Sequence, residues 1–277
     1  MSEAPPAIDE PSSAGRDVAH GPAATWALLP VKRPGRSKSR LTVLDDAERE
    51  LLARHLLEDR LAQLAVLRER GVLAGIALVS NAPAASGAAA RWQALLIAEP
   101  EHREPAAVRH DGAEPRLNAA LAAAARELAR GGAERLLILP IDLPLVRGAD
   151  IEHLLAAFDD VATSARVLVA EDRHGDGTNA LVLQPPTAIA PAFGAGSARR
   201  HLAAAPPGAV TRYRDERLGL DLDDPDDLEL VLERLRAGGR CAPGDGSRAA
   251  RFLLERFSAG PLTGPADASA QALEVSR

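Results

Sequence analysis

The sequence predicts an α/β protein with three layers, α/β/α, around a mostly parallel central sheet that carries a small antiparallel excursion. Three observations predict it. Short apolar runs alternate with longer stretches of helical periodicity from Thr25 onward. The runs are continuously apolar, without the polar alternation of a half-exposed strand, so both faces of the sheet are covered. After about residue 170 the strand candidates draw together and turn residues multiply, which marks an antiparallel segment at the sheet edge.

The elements follow in order. "TWALLPV" (25–31) is a buried strand that leads into a basic loop, and a helix covers 45–69 with Asp45 or Asp46 near its cap. "GIALVS" (75–80) and "ALLIA" (94–98) are the next strands. "RLNAALAAAARELARGG" (116–132) is a helix halted by a Gly-Gly pair. "RLLILPID" (135–142) is the most apolar strand, followed by a helix over 148–158. "ARVLVAE" (165–171) and "NALVLQP" (179–185) are further strands, and "PDDLELVLERLRAGG" (225–239) is a capped helix. Residues 1–24 read as a disordered leader, 25–239 as one domain, and 240–277 as a flexible tail holding one weak helix.

Composition narrows the function. A net charge of −6 argues against a nucleic-acid binder, and no apolar run approaches the length of a membrane span. The single Cys241 excludes an internal disulfide and a cysteine-rich metal site, which fits a cytoplasmic protein, and residues 1–23 lack the features of a signal peptide. Positive charge is concentrated instead in "PVKRPGRSKSRL" (30–41). Both lysines of the chain, Lys32 and Lys38, fall among the five basic positions of this loop, and every other basic side chain is an arginine. Chance placement would do this with a probability of roughly 0.02, and lysine differs from arginine in being a compact point charge suited to a phosphate. The loop reads as a polyphosphate cradle.

Ligands of open α/β sheets bind beyond the carboxyl ends of the strands, where the strand order reverses. Asp142, which ends an apolar strand between Pro140 and Pro144, needs a cation if buried. In "LGLDLDDPDDL" (218–228), Asp224 reads as a helix cap while Asp221 precedes it. Two carboxylates beside a phosphate-rich ligand indicate Mg²⁺. "HGDGTNALVL" (174–183) and "FGAGSARRHL" (193–202) each set glycines and a hydroxyl before a strand or helix, and the second resembles an anion nest. With the basic loop this makes two phosphate sites, hence two phosphorylated substrates. His110 and His201 receive no role.

These segments, together with "RLNAAL" and "LPIDLPL", occur in the order found in the 2-phospho-L-lactate guanylyltransferase family, CofC/FbiD, which the chain resembles from about Thr25 to Gly239. The resemblance implies a GT-A-like nucleotidyltransferase fold and an enzyme of coenzyme F-420 biosynthesis. Such an enzyme moves GMP from GTP to phosphoenolpyruvate, 3-phospho-D-glycerate or 2-phospho-L-lactate and releases pyrophosphate. It further implies that Pro30, Val31, Lys32, Arg33, Lys38 and Asn118 bind nucleotide, with Lys32, Lys38 and Asp142 catalytic. Asp142 and Asp221 would hold Mg²⁺, and Thr178, Gly194 and Ser197 would bind the acceptor. A homodimer is left open. Two other readings stand beside this one: a transferase of the same fold using another nucleotide and a sugar or alditol phosphate, and a non-catalytic sensor of GTP or a phosphorylated acid.

Overall fold

In a computed structural model the structure describes residues 24–31, 40–100, 114–159, 166–238 and 246–258. Among the described residues seven strands form one sheet: β1 (Thr25–Pro30), β2 (Gly75–Val79), β3 (Leu95–Ile97), β4 (Arg135–Ile138), β5 (Arg166–Glu171), β6 (Thr178–Gln184) and β7 (Val210–Tyr213). Their order is β3-β2-β1-β4-β6-β5-β7. Only β6 runs against the rest, antiparallel to both β4 and β5, while β5 and β7 are again parallel. This is the predicted fold class, with the antiparallel excursion reduced to a single strand.

Both faces are covered because the strands carry apolar residues at every position. Ala27 and Leu29 of β1 face one way and Leu28 the other, and all three are 0% exposed. On the first face lie α1 (Asp46–Glu69), α2 (Pro83–Trp92) and α4 (Gly148–Asp159), which contribute Leu61, Leu64, Ala85, Leu154 and Phe158. On the second lie α3 (Pro115–Arg130) and α5 (Ser197–Ala204), with Leu121, Ala124, Leu128 and Ala198. Local signals start the helices as the sequence suggests. Asp45 accepts from the Glu48 amide at 2.8 Å while Glu48 accepts from the Asp45 amide at 3.0 Å, a reciprocal cap. Asp224 caps α6 (Pro225–Ala237) in the same way, with Pro225 in the first turn.

The helix expected within 240–277 forms, and it is docked rather than loose. Residues 248–256 form α7 (Arg248–Arg256), which packs on α1 and α6 through Ala249, Leu253 and Phe257, an apolar stripe at helical spacing. Asp59 of α1 fastens its start, accepting from the Ser247 hydroxyl at 2.8 Å and the Ala249 amide at 2.9 Å. Asp59→Ala leaves these donors unpaired, and stability should fall by about 1–2 kcal/mol, read as a lower urea midpoint. Among the described residues no helix is long and apolar enough to cross a membrane.

Candidate active site

Strand order reverses between β1 and β4: from β1 the chain proceeds outward through β2 and β3, then returns to β4 on the other side. The crevice at their carboxyl ends is therefore the expected ligand site. β1 delivers Pro30 and Val31 to it, and the loop with Lys32, Arg33 and Lys38 that follows lies outside the described residues. The point of departure is held firmly. The Val31 amide donates to the Val79 carbonyl at 3.1 Å, and the buried Ser80 hydroxyl donates to the Val31 carbonyl at 2.7 Å.

β4 delivers Asp142. The loop after β4 is clamped from α1, where Arg60 donates to the Leu143 carbonyl at 2.8 Å and Gln63 to the Val146 carbonyl at 2.9 Å. Arg60 is 3% exposed; burial lowers its pKa to about 10, and the charge of Asp142 is the largest of the influences holding it up. Asp221 comes to Asp142 through the backbone, because the Leu222 amide donates to the Asp142 carbonyl at 2.9 Å. Burial pushes the Asp221 carboxyl up to about 6, with the charges of Asp142 and then Asp223 adding to the rise. An amide hydrogen bond from Asn179 at 3.3 Å pulls the other way. The two acids predicted as metal ligands are thus brought together.

The second predicted site assembles around β6 and α5. The two glycine loops are stitched by Asp176, whose carboxylate accepts from the Gly196 amide at 2.7 Å and whose carbonyl accepts from the Ala198 amide at 2.9 Å. Gly194 and Gly196 take φ values of 114° and 72°, which suit glycine. In the nest foreseen at "GAGS" the Gly196 and Ser197 amides are thus engaged within the protein: Ser197, 1% exposed, donates its own amide to the Gly194 carbonyl at 3.0 Å. Asn118 grips the adjacent Phe193 with both ends of its amide, accepting from its N–H at 2.7 Å and donating to its carbonyl at 3.0 Å. That places Asn118 beside Gly194. Thr178 meets His201, its Oγ1 lying 2.9 Å from Nδ1.

A register irregularity serves both sites. Along β5 and β6, Ala170 pairs with Ala180 but Glu171 pairs with Thr178, so Asn179 is an extra residue, a bulge. Ala180 and Val182 belong to the first face, Leu181 and Leu183 to the second. Strict alternation would send Thr178 to the first face with Ala180. The bulge shifts it to α5 on the second, while Asn179 donates to the Leu218 carbonyl at 2.9 Å and to Asp221. Sequence reading passes over Ser80, Arg60, Asn179, Asp176 and His201, since each gains its role only from a distant partner.

His201 is 0% exposed, and burial lowers its pKa to about 4, with Arg200 adding to the fall. A folded-state pKa below the unfolded 6.5 means the contribution is complete above pH 6.5 and is lost as pH falls toward 4. The stability difference between wild type and His201→Asn should shrink by about 2 kcal/mol between pH 7.5 and pH 5, measured by urea denaturation.

Chemically, the crevice offers two carboxylates and, among the described residues, no group of three or more His, Cys, Asp or Glu side chains that could hold a metal ion. The donor set fits a hard divalent cation that completes its shell with phosphate oxygens and water. The model of the family described as guanylyl transferase CofC-like matches residues 86–238, which include Asp142, Thr178 and Asp221. The chain belongs to this family. It is 36% identical over 217 residues to a phosphoenolpyruvate guanylyltransferase of Sphaerobacter thermophilus, covering 77% of this chain and 95% of that one. It is also 36% identical over 224 residues to a phosphoenolpyruvate guanylyltransferase of Conexibacter woesei, covering 78% and 91%. Among solved structures, one from Desulfovibrio desulfuricans G20 named as a nucleotide-diphospho-sugar transferase superposes with a TM-score of 0.61. At 16% identity, over 85% of this chain and 96% of that one, it shares the fold. The CofC-like chain is thus an enzyme, a nucleotidyltransferase, as the order of its motifs implied.

Proposed function

We propose that this CofC-like enzyme transfers GMP from GTP to phosphoenolpyruvate and releases pyrophosphate, in the making of coenzyme F-420. The observation that carries the reading is the convergence of Asp142 and Asp221 at the switch point of a chain whose relatives are named phosphoenolpyruvate guanylyltransferases. The choice of phosphoenolpyruvate over 3-phospho-D-glycerate or 2-phospho-L-lactate rests on those names.

The acceptor phosphate is already an oxyanion, so no strong general base is needed. One of its oxygens attacks the α-phosphorus of GTP in line; the new P–O bond forms as the bond to the β-phosphate oxygen breaks, and the electron pair leaves on pyrophosphate. The chain's work is to hold two polyanions in line and to offset the charge that develops. Asp142 and Asp221 would hold Mg²⁺, which, when bound, neutralises phosphate charge. Lys32 and Lys38 meet the triphosphate as point charges, on the strength of their placement in the sequence, and Pro30, Val31 and Arg33 border the nucleotide; Asn118, implied there by the resemblance, spends its amide on Phe193 and holds that loop instead. Thr178, Gly194 and Ser197 receive the acceptor; with the Gly196 and Ser197 amides engaged within the protein, the Thr178 hydroxyl serves as a donor to it.

The test is pyrophosphate release from GTP and Mg²⁺ with each of the three acids in turn, ATP and CTP serving as controls. Release with GTP and phosphoenolpyruvate is expected. Release confined to another nucleotide, or with none of the three acids, overturns the reading.

A further inference from the structure

His201 sits outside the mechanism just described, yet it is built into the acceptor side of the site. It is fully buried on α5, packs edge-on against Phe193 with ring centroids 5.0 Å apart, and spends both ring nitrogens on defined partners. The Ala192 amide donates to Nε2 at 2.8 Å, and Nδ1 lies 2.9 Å from Thr178 Oγ1. A backbone N–H can only donate, so Nε2 must be the bare nitrogen. A neutral imidazole carries one proton, which then resides on Nδ1 and is donated to Thr178.

This fixes the direction of the Thr178 hydroxyl. With Oγ1 already accepting from His201, the threonine proton is directed away from His201 and toward another acceptor. Phosphate and carboxylate oxygens only accept. We propose that His201 is a positioning residue that makes Thr178 a one-way donor to an anionic oxygen of the phosphorylated acid. The same imidazole ties β6 to the loop of Ala192, Phe193 and Gly194, which Asn118 grips from the other side, so it also sets how far Thr178 stands from that loop. The inference rests on the reading above that Thr178 meets the acceptor.

Two substitutions separate its two hydrogen bonds. In His201→Gln the side-chain oxygen reaches the Nε2 position and still accepts from Ala192, but the donor to Thr178 is lost. In His201→Asn the amide nitrogen takes the Nδ1 position and still donates to Thr178, but the Ala192 amide goes unpaired. Steady-state pyrophosphate release with phosphoenolpyruvate and GTP, alongside thermal melts, should show a split. His201→Gln raises the KM for phosphoenolpyruvate roughly tenfold, the scale of misdirecting one hydrogen bond to a charged group, and leaves the KM for GTP unchanged. His201→Asn lowers Tm yet keeps the KM for phosphoenolpyruvate near wild type. In a Thr178→Val background His201→Gln adds nothing further.

If Thr178→Val leaves the acceptor KM unmoved, the assignment of Thr178 fails and this inference with it. If Thr178→Val raises it while His201→Gln does not, the inference alone fails, as it does if both KM values shift together. Should the variants not fold, ¹⁵N spectra of the imidazole in the unsubstituted protein decide: a proton on Nδ1 supports the assignment, and a proton on Nε2 overturns it.

Discussion

Asp142→Ala should cut pyrophosphate release at least ~10²-fold while the protein remains folded, the scale of removing one electrostatic contact to the reacting phosphates. Two effects combine. One of the two carboxylates at the switch point disappears, so a divalent cation would be held by Asp221 alone and the Mg²⁺ concentration for half-maximal rate should rise. Asp142 is also the leading charge that keeps the buried Arg60 protonated, so its loss leaves that guanidinium short of compensation and lowers Tm as well. Asp142→Asn, which keeps the shape but removes the same charge, should lose turnover and Tm to a similar extent. Circular dichroism reports folding and pyrophosphate release reports the chemistry. A folded Asp142→Ala protein with wild-type turnover would remove the metal assignment.

Asp221→Asn should separate stability from activity. The Asp221 carboxyl titrates at about 6 in the folded protein against 3.8 for a free one, so at pH 8 the folded state carries an ion it would prefer protonated. The sign is the reverse of an ordinary ion pair: this group costs the folded state stability as pH rises from about 4 to 6, and the cost then levels off. An amide has no charge to desolvate and its oxygen still accepts from Asn179. In chelator at pH 8 the variant should be more stable than wild type by about 2 kcal/mol, with the gap closing toward pH 4, while turnover is lost. Equal stability at both pH values would show that the carboxyl is not strained as described.

What could be read in advance follows from where each signal resides. The runs over β1, β2 and β4 are legible because strands covered on both faces must be apolar throughout; Asp142 stands out because a carboxylate at the end of such a run is out of place, and Asp221 because it precedes a helix cap that Asp224 fills. α2 escapes notice because "PAASGAAARW" buries only the small side chains of Ala85, Ala88 and Ala89 and so shows little periodicity. β7 is four residues long and partly exposed, with Val210 at 37%, and exists by virtue of pairing with β5. The docking of α7 depends on Asp59, some 190 positions away, which no local pattern announces. In the site the same division holds. Asn179 and His201 are ordinary polar residues in the chain; only the fold brings them to Asp221 and Thr178.

The bulge at Asn179 has a last consequence, for how this segment can vary. Thr178 faces α5 and Asn179 the side of Asp221, rather than the reverse, because the strand is one residue out of phase with its neighbour. Deleting Asn179 would restore the phase with Thr178 still paired to Glu171 and still beside His201, while Asp221 lost its amide donor. The two sides of the sheet are thus separable in this stretch: a one-codon deletion of Asn179 strips one of its support and spares the other.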